Sequence, residues 1–587
     1  MVPRAAIGRF IRTRRGEGLR HHRTAFGLFS DLFPGIRLPA RRGSHDGRRP
    51  LYGDSNKMVP TPVQEEITEV ACLESDLQNG QMKEVEVGQQ KVLLVRGEAG
   101  FSAVGGLCSH YGAPLVKGAL LGDRVRCPWH GACFNIKTGD IEDYPGLDCL
   151  PAYKVKVDDG KVYVTIKNKM TKRVKEMGGR VPDVCHTVML IGGGPASLVC
   201  AETLRQNSYG GRIVIVTKEE LLPFDKPKLS KALNVESGNI LLRQSDFLQE
   251  HGIEVWTQRE VISVDTGAKT VALGDGTVHG YNQLLIATGC RARAMQCPGA
   301  ELENVKVLQS FRDAKEIHRL AVGKKVVVVG TSFIGMEVAA YLSDKAAIVS
   351  VIGTSDYAYQ MSLGPAVGKM AMQILKDQNV KFYMKDGVSE IRGENGKVKE
   401  VLLKCGSVLD ADVVVLGIGV TPNSDFLKGS QIATDSKSHV VVDKFMRTNV
   451  PDIFSAGDVA SFPLTLRQNL QVNIAHWQMA HAHGRIAALN MLNKPTEMNS
   501  VPFFWTMLKG KSVRYAGYGE GYTQIVFKGN VEEQKFLAFY IKEGVVVAAA
   551  SMNFDPAVAR LAEMMATGRT ITKAQAESDD LSWLQMP

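Results

Sequence analysis

Residues 188–197 read V-M-L-I-G-G-G-P-A-S and lead into an apolar segment that reaches Leu204. A buried strand that ends in closely spaced glycines and runs into a helix is typical of a dinucleotide-binding unit. Gly192 and Gly194 permit the tight turn and the close approach of a pyrophosphate to the helix N-terminus. The predicted cofactor contacts of this turn are Gly192, Gly193, Gly194, Pro195, Ala196 and Ser197. Glu219, about twenty residues further along, is the expected ribose anchor.

A second turn of this kind occupies residues 326–337, V-V-V-V-G-T-S-F-I-G-M-E. Gly330 and Gly335 keep the first and third glycines, whereas Ser332 takes the middle place, where its side chain intrudes on the pyrophosphate path. The next strand ends in Gly353 instead of an acid, and no Arg stands ready for a 2′-phosphate. These departures leave two alternatives open, a working nicotinamide site and a degenerate one, and they do not decide between NADH and NADPH.

Strand-like and helix-length segments alternate from Val188 to about Asn493, which predicts a doubly wound parallel sheet. Two glycine-rich turns indicate two nucleotide-binding units. Residues 65–167 instead show short runs punctuated by glycine, typical of a small antiparallel β domain. From Val501 onward the short strands and final helical segments predict a smaller α+β domain.

Two cysteines and two histidines form the strongest chemical signal of the sequence. Cys108 and His110 stand in one C-S-H cluster, and Cys127 and His130 follow sixteen residues later in C-P-W-H-G. Zinc and four unrelated residues are the alternatives, but zinc fingers keep their cysteines together and their histidines together. One Cys and one His in each cluster suits a Rieske [2Fe-2S] centre, in which two thiolates hold one iron and two imidazoles the other.

The neighbours of these ligands predict a low reduction potential. Ala113 stands where some high-potential Rieske proteins carry a cysteine, so Cys133 lacks a disulfide partner in that loop. Ala132 offers no hydroxyl to a cluster sulfide. Fewer hydrogen-bond donors stabilise the reduced centre less and lower its potential. We therefore expect a ferredoxin-like centre that NAD(P)H can reduce through a flavin.

Several further motifs occur in an order that carries a family resemblance. These are L-P-F-D-K-P-K-L-S-K at 222–231, A-T-G at 287–289, G-I-G-V-T-P at 417–422, T-N-V-P-D-I-F-S-A-G-D at 448–458 and F-W at 504–505. Together they resemble the glutathione-reductase-type flavoprotein fold of ferredoxin reductases and apoptosis-inducing factors. With a Rieske domain in front, residues 60–587 resemble the Rieske-containing apoptosis-inducing factor 3 family. The resemblance implies an FAD-dependent NAD(P)H oxidoreductase, with NADH the expected donor.

The resemblance also implies roles for single residues. Asp458 is expected on the flavin ribityl chain, Lys226 in the place of an FAD-binding Arg, and the Val261 backbone at the adenine. Lys231 is expected near flavin N5 and Glu337 near the nicotinamide, as the catalytic pair. The remaining implied cofactor contacts are Thr288, Gly289 and Trp505, the last against the isoalloxazine.

The predicted fold is multidomain. An antiparallel β Rieske domain (65–167) and a linker (168–186) precede a glutathione-reductase-like α/β fold with two dinucleotide-binding domains. The FAD-binding domain is expected in two parts (187–315 and 443–500) around the NAD(P)-binding domain (316–442), and a small α+β domain (501–587) ends the chain.

The basic charge belongs to the N-terminal tail (1–58). The net charge is +10, and residues 1–57 carry twelve Arg and one Lys against four acids, or +9. Residues 1–16 hold five Arg and no acid, which favours a mitochondrial transit peptide over a basic tail without an address. A start at Met58 would give a cytoplasmic product without the tail. The near-neutral body predicts no nucleic-acid binding.

The sequence predicts no membrane-spanning helix, because it lacks a long uncharged apolar run. It names neither the electron acceptor nor the oligomeric state, for which a homodimer is one alternative. Electron transfer from NAD(P)H through FAD to the Rieske centre is the expected activity. The alternative function is a redox-controlled cell-death or signalling effector with slow turnover.

Overall fold

The computed structural model of the protein describes residues 66–167 and 170–585. The expected basic tail and its transit peptide therefore lie outside the described residues. No helix within those two ranges is long and apolar enough to cross a membrane.

The N-terminal domain consists of two antiparallel sheets. Its strands alternate between buried and exposed positions; in Lys161–Lys167, for example, Val162, Val164 and Ile166 face the core, as expected for a half-buried sheet. The larger sheet has the order Glu66–Leu73, Lys161–Lys167, Ala152–Asp158, Gly100–Gly105, Gln90–Gly97, Gln81–Val87. The smaller sheet has the order Ala119–Leu121, Arg124–Arg126, Cys133–Asn135, Ile141–Asp143.

Two five-stranded parallel sheets follow, and each is covered by helices on one face and by a small antiparallel sheet on the other, so its strands are buried on both faces. The first has the order Ile253–Trp256, Arg212–Val216, Thr187–Ile191, Gln283–Ile286, Ile453–Ser455. The second has the order Val305–Val307, Val413–Leu416, Lys325–Val329, Ile348–Gly353, Lys381–Met384. The chain thus completes the second sheet before it returns to add the last strand of the first.

Smaller sheets support these two. Their strands are Val261–Asp265, Thr270–Leu273 and Val278–Gly280; Cys290–Ala292 and Val420–Pro422; Val388–Glu394, Lys397–Leu403 and Val408–Asp410; and Val440–Val441, Ala460–Leu464 and Leu470–Val472. The α-helices are Pro195–Gln206, Lys228–Lys231, Ser245–Glu250, Phe311–Ala321, Phe333–Leu342, Gln360–Leu363, Pro365–Lys376, Trp477–Met491, Ala557–Ala566 and Lys573–Glu577.

The C-terminal domain places a helix against the N-terminal domain. Its antiparallel sheet has the order Phe503–Leu508, Lys511–Gly517, Val545–Met552, Lys535–Lys542, Gln524–Asn530. The helix Ala557–Ala566, here called the docking helix, contacts both this sheet and the strands Ala119–Leu121 and Arg124–Arg126. The first and last domains therefore touch, and the predicted fold class is confirmed.

Candidate iron–sulfur and dinucleotide sites

Two loops with the same backbone pattern carry the predicted iron ligands. We call residues 108–113 the first ligand loop and residues 127–132 the second ligand loop. In each loop, the N–H of the first residue, a Cys, donates to the carbonyl of the last residue, an Ala. The N–H of the fifth residue, a Gly, donates to the carbonyl of that Cys. The four bonds are Cys108 to Ala113 (2.9 Å), Gly112 to Cys108 (2.8 Å), Cys127 to Ala132 (2.8 Å) and Gly131 to Cys127 (3.3 Å). Gly112 and Gly131 adopt φ of +74° and +82°, a conformation that favours glycine.

The ligand side chains of the two loops meet. The thiols of Cys108 and Cys127 are buried and lie beside each other. The rings of His110 and His130 lie edge to face, 5.0 Å apart between centroids. Buried Nδ1 of His110 has no hydrogen-bond partner among the described residues. Burial lowers the pKa of His110 to about 3, so the imidazole is neutral, the form that ligates metals.

The four predicted iron ligands form one pair of thiols and one pair of imidazoles. In the described part of the chain, no group of three or more His, Cys, Asp or Glu side chains could hold one metal ion. A structural zinc takes four protein donors, whereas each iron of a Rieske centre takes two. The thiol pair, the imidazole pair and the unpartnered nitrogen of His110 fit the two-iron centre.

Cys133, just after the second ligand loop, is also buried. The carboxylate of Glu563 on the docking helix lies near its thiol, and burial raises the pKa of the Cys133 thiol to about 12. The C-terminal domain thus reaches the surroundings of the second loop, a contact that no local sequence motif signals.

The first glycine-rich turn has the shape that a dinucleotide requires. Gly192 adopts φ of +121°, and a Cβ there would lie 2.1 Å from the carbonyl oxygen of Ala287. Gly194 caps the helix Pro195–Gln206, and a Cβ at Gly194 would meet no atom within 4 Å. Open space thus lies at a helix N-terminus whose free N–H groups suit a phosphate.

The other predicted FAD residues surround this turn. Ser197 is fully buried beneath it, and Val261 is buried at the start of its strand. The Glu219 carboxylate has no hydrogen-bond or ion-pair partner within residues 66–167 and 170–585. Its backbone carbonyl accepts a bond from Gln258 (2.9 Å).

A second group of predicted FAD residues lies where the two parallel sheets approach each other. Thr288 Oγ1 donates to the carbonyl of Asn423 (2.6 Å), and Asn423 N–H donates to the carbonyl of Gly289 (2.9 Å). Burial raises the pKa of Asp458, while the charge of nearby Lys226 opposes that rise. A carboxylate beside a lysine in a buried site is suited to accept bonds from hydroxyl groups.

The second glycine-rich turn repeats the close approaches of the first. A Cβ at Gly330 (φ +114°) would lie 2.2 Å from the Gly417 carbonyl oxygen, and one at Gly335 would lie 2.1 Å from that of Gly330. Ser332 caps the helix Phe333–Leu342 through its backbone alone, since its hydroxyl makes no cap bond. Within the turn itself, the departure from the dinucleotide-binding pattern is therefore the hydroxyl of Ser332, since the backbone is regular.

The acid that follows the second turn is not free. The carboxylate of Asp356 pairs with Lys385 Nζ (2.5 Å). Gly353 is packed so closely that a Cβ would lie 2.5 Å from the side chain of Thr331. The carboxylate nearest the end of this strand is therefore already held by a lysine.

Lys231 and Glu337, the predicted catalytic pair, are in direct contact. Lys231 Nζ lies 2.9 Å from Glu337 Oε2, and the carboxylate is buried. The hydroxyl of Ser230 donates to Oε2, and that of Thr506 donates to Oε1 (2.8 Å). The sequence analysis named the pair but missed the hydroxyls of Ser230 and Thr506. The one signal for Thr506 was its place after Trp505, because side chains of successive strand residues point to opposite faces.

Trp505 joins this region to the iron ligands. Its ring centroid lies 4.1 Å from that of His130 and 5.9 Å from that of His110. Because the next residue, Thr506, bonds to Glu337, a single strand touches the ligand loops with one face and the predicted nicotinamide site with the other.

Tyr111 forms a second link that the sequence did not reveal. Its ring stacks on His110 at 3.9 Å, and its hydroxyl donates to the buried carboxylate of Asp225. Lys228 Nζ lies 5.4 Å from the ring centroid. The 222–231 motif therefore contacts the first ligand loop as well as Glu337.

Three protein-family models match the chain in succession. They describe a Rieske [2Fe-2S] domain over residues 68–154, a pyridine nucleotide-disulphide oxidoreductase over residues 186–484 and a reductase C-terminal domain over residues 503–583. The order agrees with the three sets of sheets.

Full-length comparisons agree. The chain is 48% identical to apoptosis-inducing factor 3 of Homo sapiens over 541 residues, covering 89% of both chains. It is 30% identical to rubredoxin-NAD(+) reductase of Pseudomonas putida, covering 62% of this chain and 95% of that protein. Among solved structures it is similar to the covalent putidaredoxin reductase–putidaredoxin complex, with a TM-score of 0.65, 25% identity and coverage of 68% of this chain and 97% of the other.

Proposed function

Because the chain belongs to the apoptosis-inducing factor 3 family of pyridine nucleotide-disulphide oxidoreductases, we propose that it passes electrons from NAD(P)H through FAD to its own Rieske centre. The chain is an FAD-dependent oxidoreductase of the ferredoxin reductase kind with a Rieske domain. NADH is the donor we propose, and the final acceptor is a separate molecule.

The contact between Trp505 and His130 carries this proposal. Trp505 touches the predicted iron ligand His130, and the next residue of the same strand, Thr506, bonds to Glu337. FAD accepts a two-electron hydride and can release electrons singly. The chain's own part is to bind, orient and shield, through the glycine turns, Asp458, the Lys231–Glu337 pair and the four iron ligands.

The proposal includes an FAD-binding domain in two parts, residues 187–315 and 443–500, around an NAD(P)-binding domain, residues 316–442. Within it, Cys108, His110, Cys127 and His130 hold the cluster. The names of the similar reductases refer to separate rubredoxin and putidaredoxin partners. Here, the attached Rieske domain takes the position of first acceptor.

Absorption and electron paramagnetic resonance spectra of the purified holoprotein, before and after anaerobic NADH addition, test the proposal. We expect one flavin and one [2Fe-2S] centre per chain, flavin bleaching by NADH, and a reduced Rieske signal that follows it. Flavin without iron, or with zinc bound at the four ligands, would overturn the electron route. Bleached flavin with a cluster that stays oxidised would do the same.

The name of the human relative, apoptosis-inducing factor 3, favours one second candidate, a redox-controlled cell-death effector. Steady-state turnover with NADH and a one-electron acceptor separates the two functions. An enzyme turns over quickly, whereas an effector turns over slowly and keeps a long-lived reduced state.

We also propose that residues 1–58 direct mitochondrial import. Fluorescent fusions that start at Met1 or at Met58 test this proposal.

A further inference from the structure

Arg126 is a fully buried arginine one residue before a predicted iron ligand. Its side chain is 0% exposed. Burying a guanidinium is costly unless its charge and donors are all satisfied. The partners of the Arg126 guanidinium therefore show which parts of the fold it connects.

Three partners from three parts of the chain satisfy this side chain. Nη1 donates to the carbonyl of Gly131 in the second ligand loop (2.7 Å). Nε donates to Glu563 on the docking helix. Nη2 donates to Asp143 Oδ2 (3.2 Å). The planar guanidinium of an arginine spreads its donors over three nitrogens, so each of these separated acceptors has a nitrogen of its own, whereas a lysine offers a single nitrogen.

The contacts continue from Asp143 back to the same loop. Asp143 Oδ1 accepts a bond from Gln478 Nε2 (3.1 Å), and Gln478 Oε1 accepts one from the Phe503 N–H (3.3 Å). The Phe503 ring lies directly on Gly131, where a Cβ would be 2.6 Å from it. Gly131 is thus held through its carbonyl on one side and by an aromatic ring on the other.

We propose that Arg126 is a positioning residue of the iron–sulfur centre, through which the docking helix fixes the second ligand loop against Trp505. The inference rests on the proposed function, because it takes Cys127 and His130 as iron ligands. Gly131 directly follows His130, so a displaced Gly131 carbonyl shifts the imidazole that contacts Trp505. The C-terminal domain therefore belongs to the metal site without donating a ligand.

The charges of the network allow a matched control. Arg124 pairs with the same carboxylate, Nε to Glu563 Oε2 at 3.1 Å, and with Glu142. Its side chain is 37% exposed, and it has no hydrogen bond to the second ligand loop in the described ranges. Arg124→Gln therefore weakens the ion pair at Glu563 and leaves the loop carbonyl with its donor.

Two variants test the inference against this control. Arg126→Gln removes a cation beside the cluster. Arg126→Met combined with Glu563→Met removes one charge of each sign and leaves Asp143 with its bond from Gln478, which limits the loss of folding stability that a lone unpaired charge would cause. The holoprotein is examined for iron and sulfide per flavin, for the g-values of the reduced centre, and for its midpoint potential.

We expect Arg126→Gln to disfavour reduction of the centre about tenfold, which corresponds to about 59 mV downward for one electron. The double variant should shift the g-values and slow cluster reduction at least tenfold, with flavin bleaching by NADH unchanged. Loss of iron with flavin retained, in either variant, also supports the inference. Arg124→Gln should match the wild type in every readout.

Wild-type g-values, potential and cluster reduction in the double variant would overturn the inference. An effect of equal size in Arg124→Gln would overturn it as well, because general weakening at Glu563 would then suffice. A wild type with flavin and no [2Fe-2S] signal overturns the proposed function instead, and the inference with it.

Discussion

The imidazole of His130 and the indole of Trp505 are in contact, with ring centroids 4.1 Å apart and planes inclined by 45°. The two residues belong to the first and last domains of the chain. The ligand loops therefore already contact the reductase body, so the proposed electron transfer along this route needs no movement of the Rieske domain.

Replacing Trp505 tests this contact. We expect Trp505→Leu to slow cluster reduction at least tenfold, because it removes the ring that lies between the ligand and the reductase. The rate at which NADH bleaches the flavin should stay within about twofold of wild type, and stopped-flow absorbance separates the two steps. Trp256→Phe, at a tryptophan that contacts Arg212 and His279, is the control. Normal cluster reduction in Trp505→Leu would show that the electrons take another route.

The two ligand-loop glycines permit a test of packing against strain. Gly131→Ala should cost about 1–3 kcal/mol and lower the iron content, since it adds both left-handed strain and a clash with Phe503. Gly112→Ala meets the same strain at φ +74° but has no atom within 4 Å of the added Cβ. Urea unfolding and iron-to-flavin ratios compare the two. Equal effects would mean that the Phe503 contact contributes nothing.

Buried His483 predicts a pH dependence of stability. Burial lowers the pKa of His483 to about 3, and its Nδ1 accepts a bond from Gly457 N–H (3.1 Å). The unfolded histidine, with a pKa near 6.5, binds a proton that the folded one rejects. The free energy of unfolding therefore falls as pH drops from about 6.5 toward 3, by up to about 1.4 kcal/mol per pH unit.

His483→Gln should reduce this slope by the share of one histidine and leave the share of other buried histidines such as His110. Urea titrations between pH 4.5 and 7 measure the slope. His279→Gln, at a surface histidine bonded to Thr277, should keep it. A slope that persists unchanged in His483→Gln would assign the pH dependence to other groups.

The Lys231–Glu337 pair can be separated into structural and catalytic parts. Lys231→Met leaves a buried carboxylate unpaired, so we expect a loss of about 3–5 kcal/mol and slower flavin bleaching by NADH. Adding Glu337→Met should restore most of the stability because no buried charge remains. The bleaching rate should stay low, since both groups of the proposed nicotinamide site are gone. Recovery of both properties together would reduce the pair to a structural role.

Local sequence sufficed for the parts of the site that lie within one motif. The spacing of Cys108 and His110, and of Cys127 and His130, predicted the two loops because each pair sits on one tight turn. The glycines at 192 and 330 predicted the strand–helix turns for the same reason. The roles of Lys231 and Glu337 were predicted from the family resemblance, whereas their direct contact is visible only in the three-dimensional structure.

Contacts between domains left no such signal. Arg126 and Tyr111 read as ordinary surface or core residues until Glu563 and Asp225 are placed beside them. The partners are far apart in sequence, and no periodic pattern marks a residue that pairs across domains. Tertiary packing alone assigns these residues to the site.

The separation of Arg126 from Glu563, 437 residues, also bears on how the metal is loaded. A growing chain releases its N-terminal domain first, so the second ligand loop is complete long before the docking helix exists. Until the C-terminal domain is synthesised and folded, the guanidinium lacks the Glu563 carboxylate, and Gly131 lacks the cover of Phe503. In the finished fold Cys108 and Cys127 are 4% and 1% exposed. We therefore expect the cluster to enter the two ligand loops more readily before the C-terminal domain has folded over them.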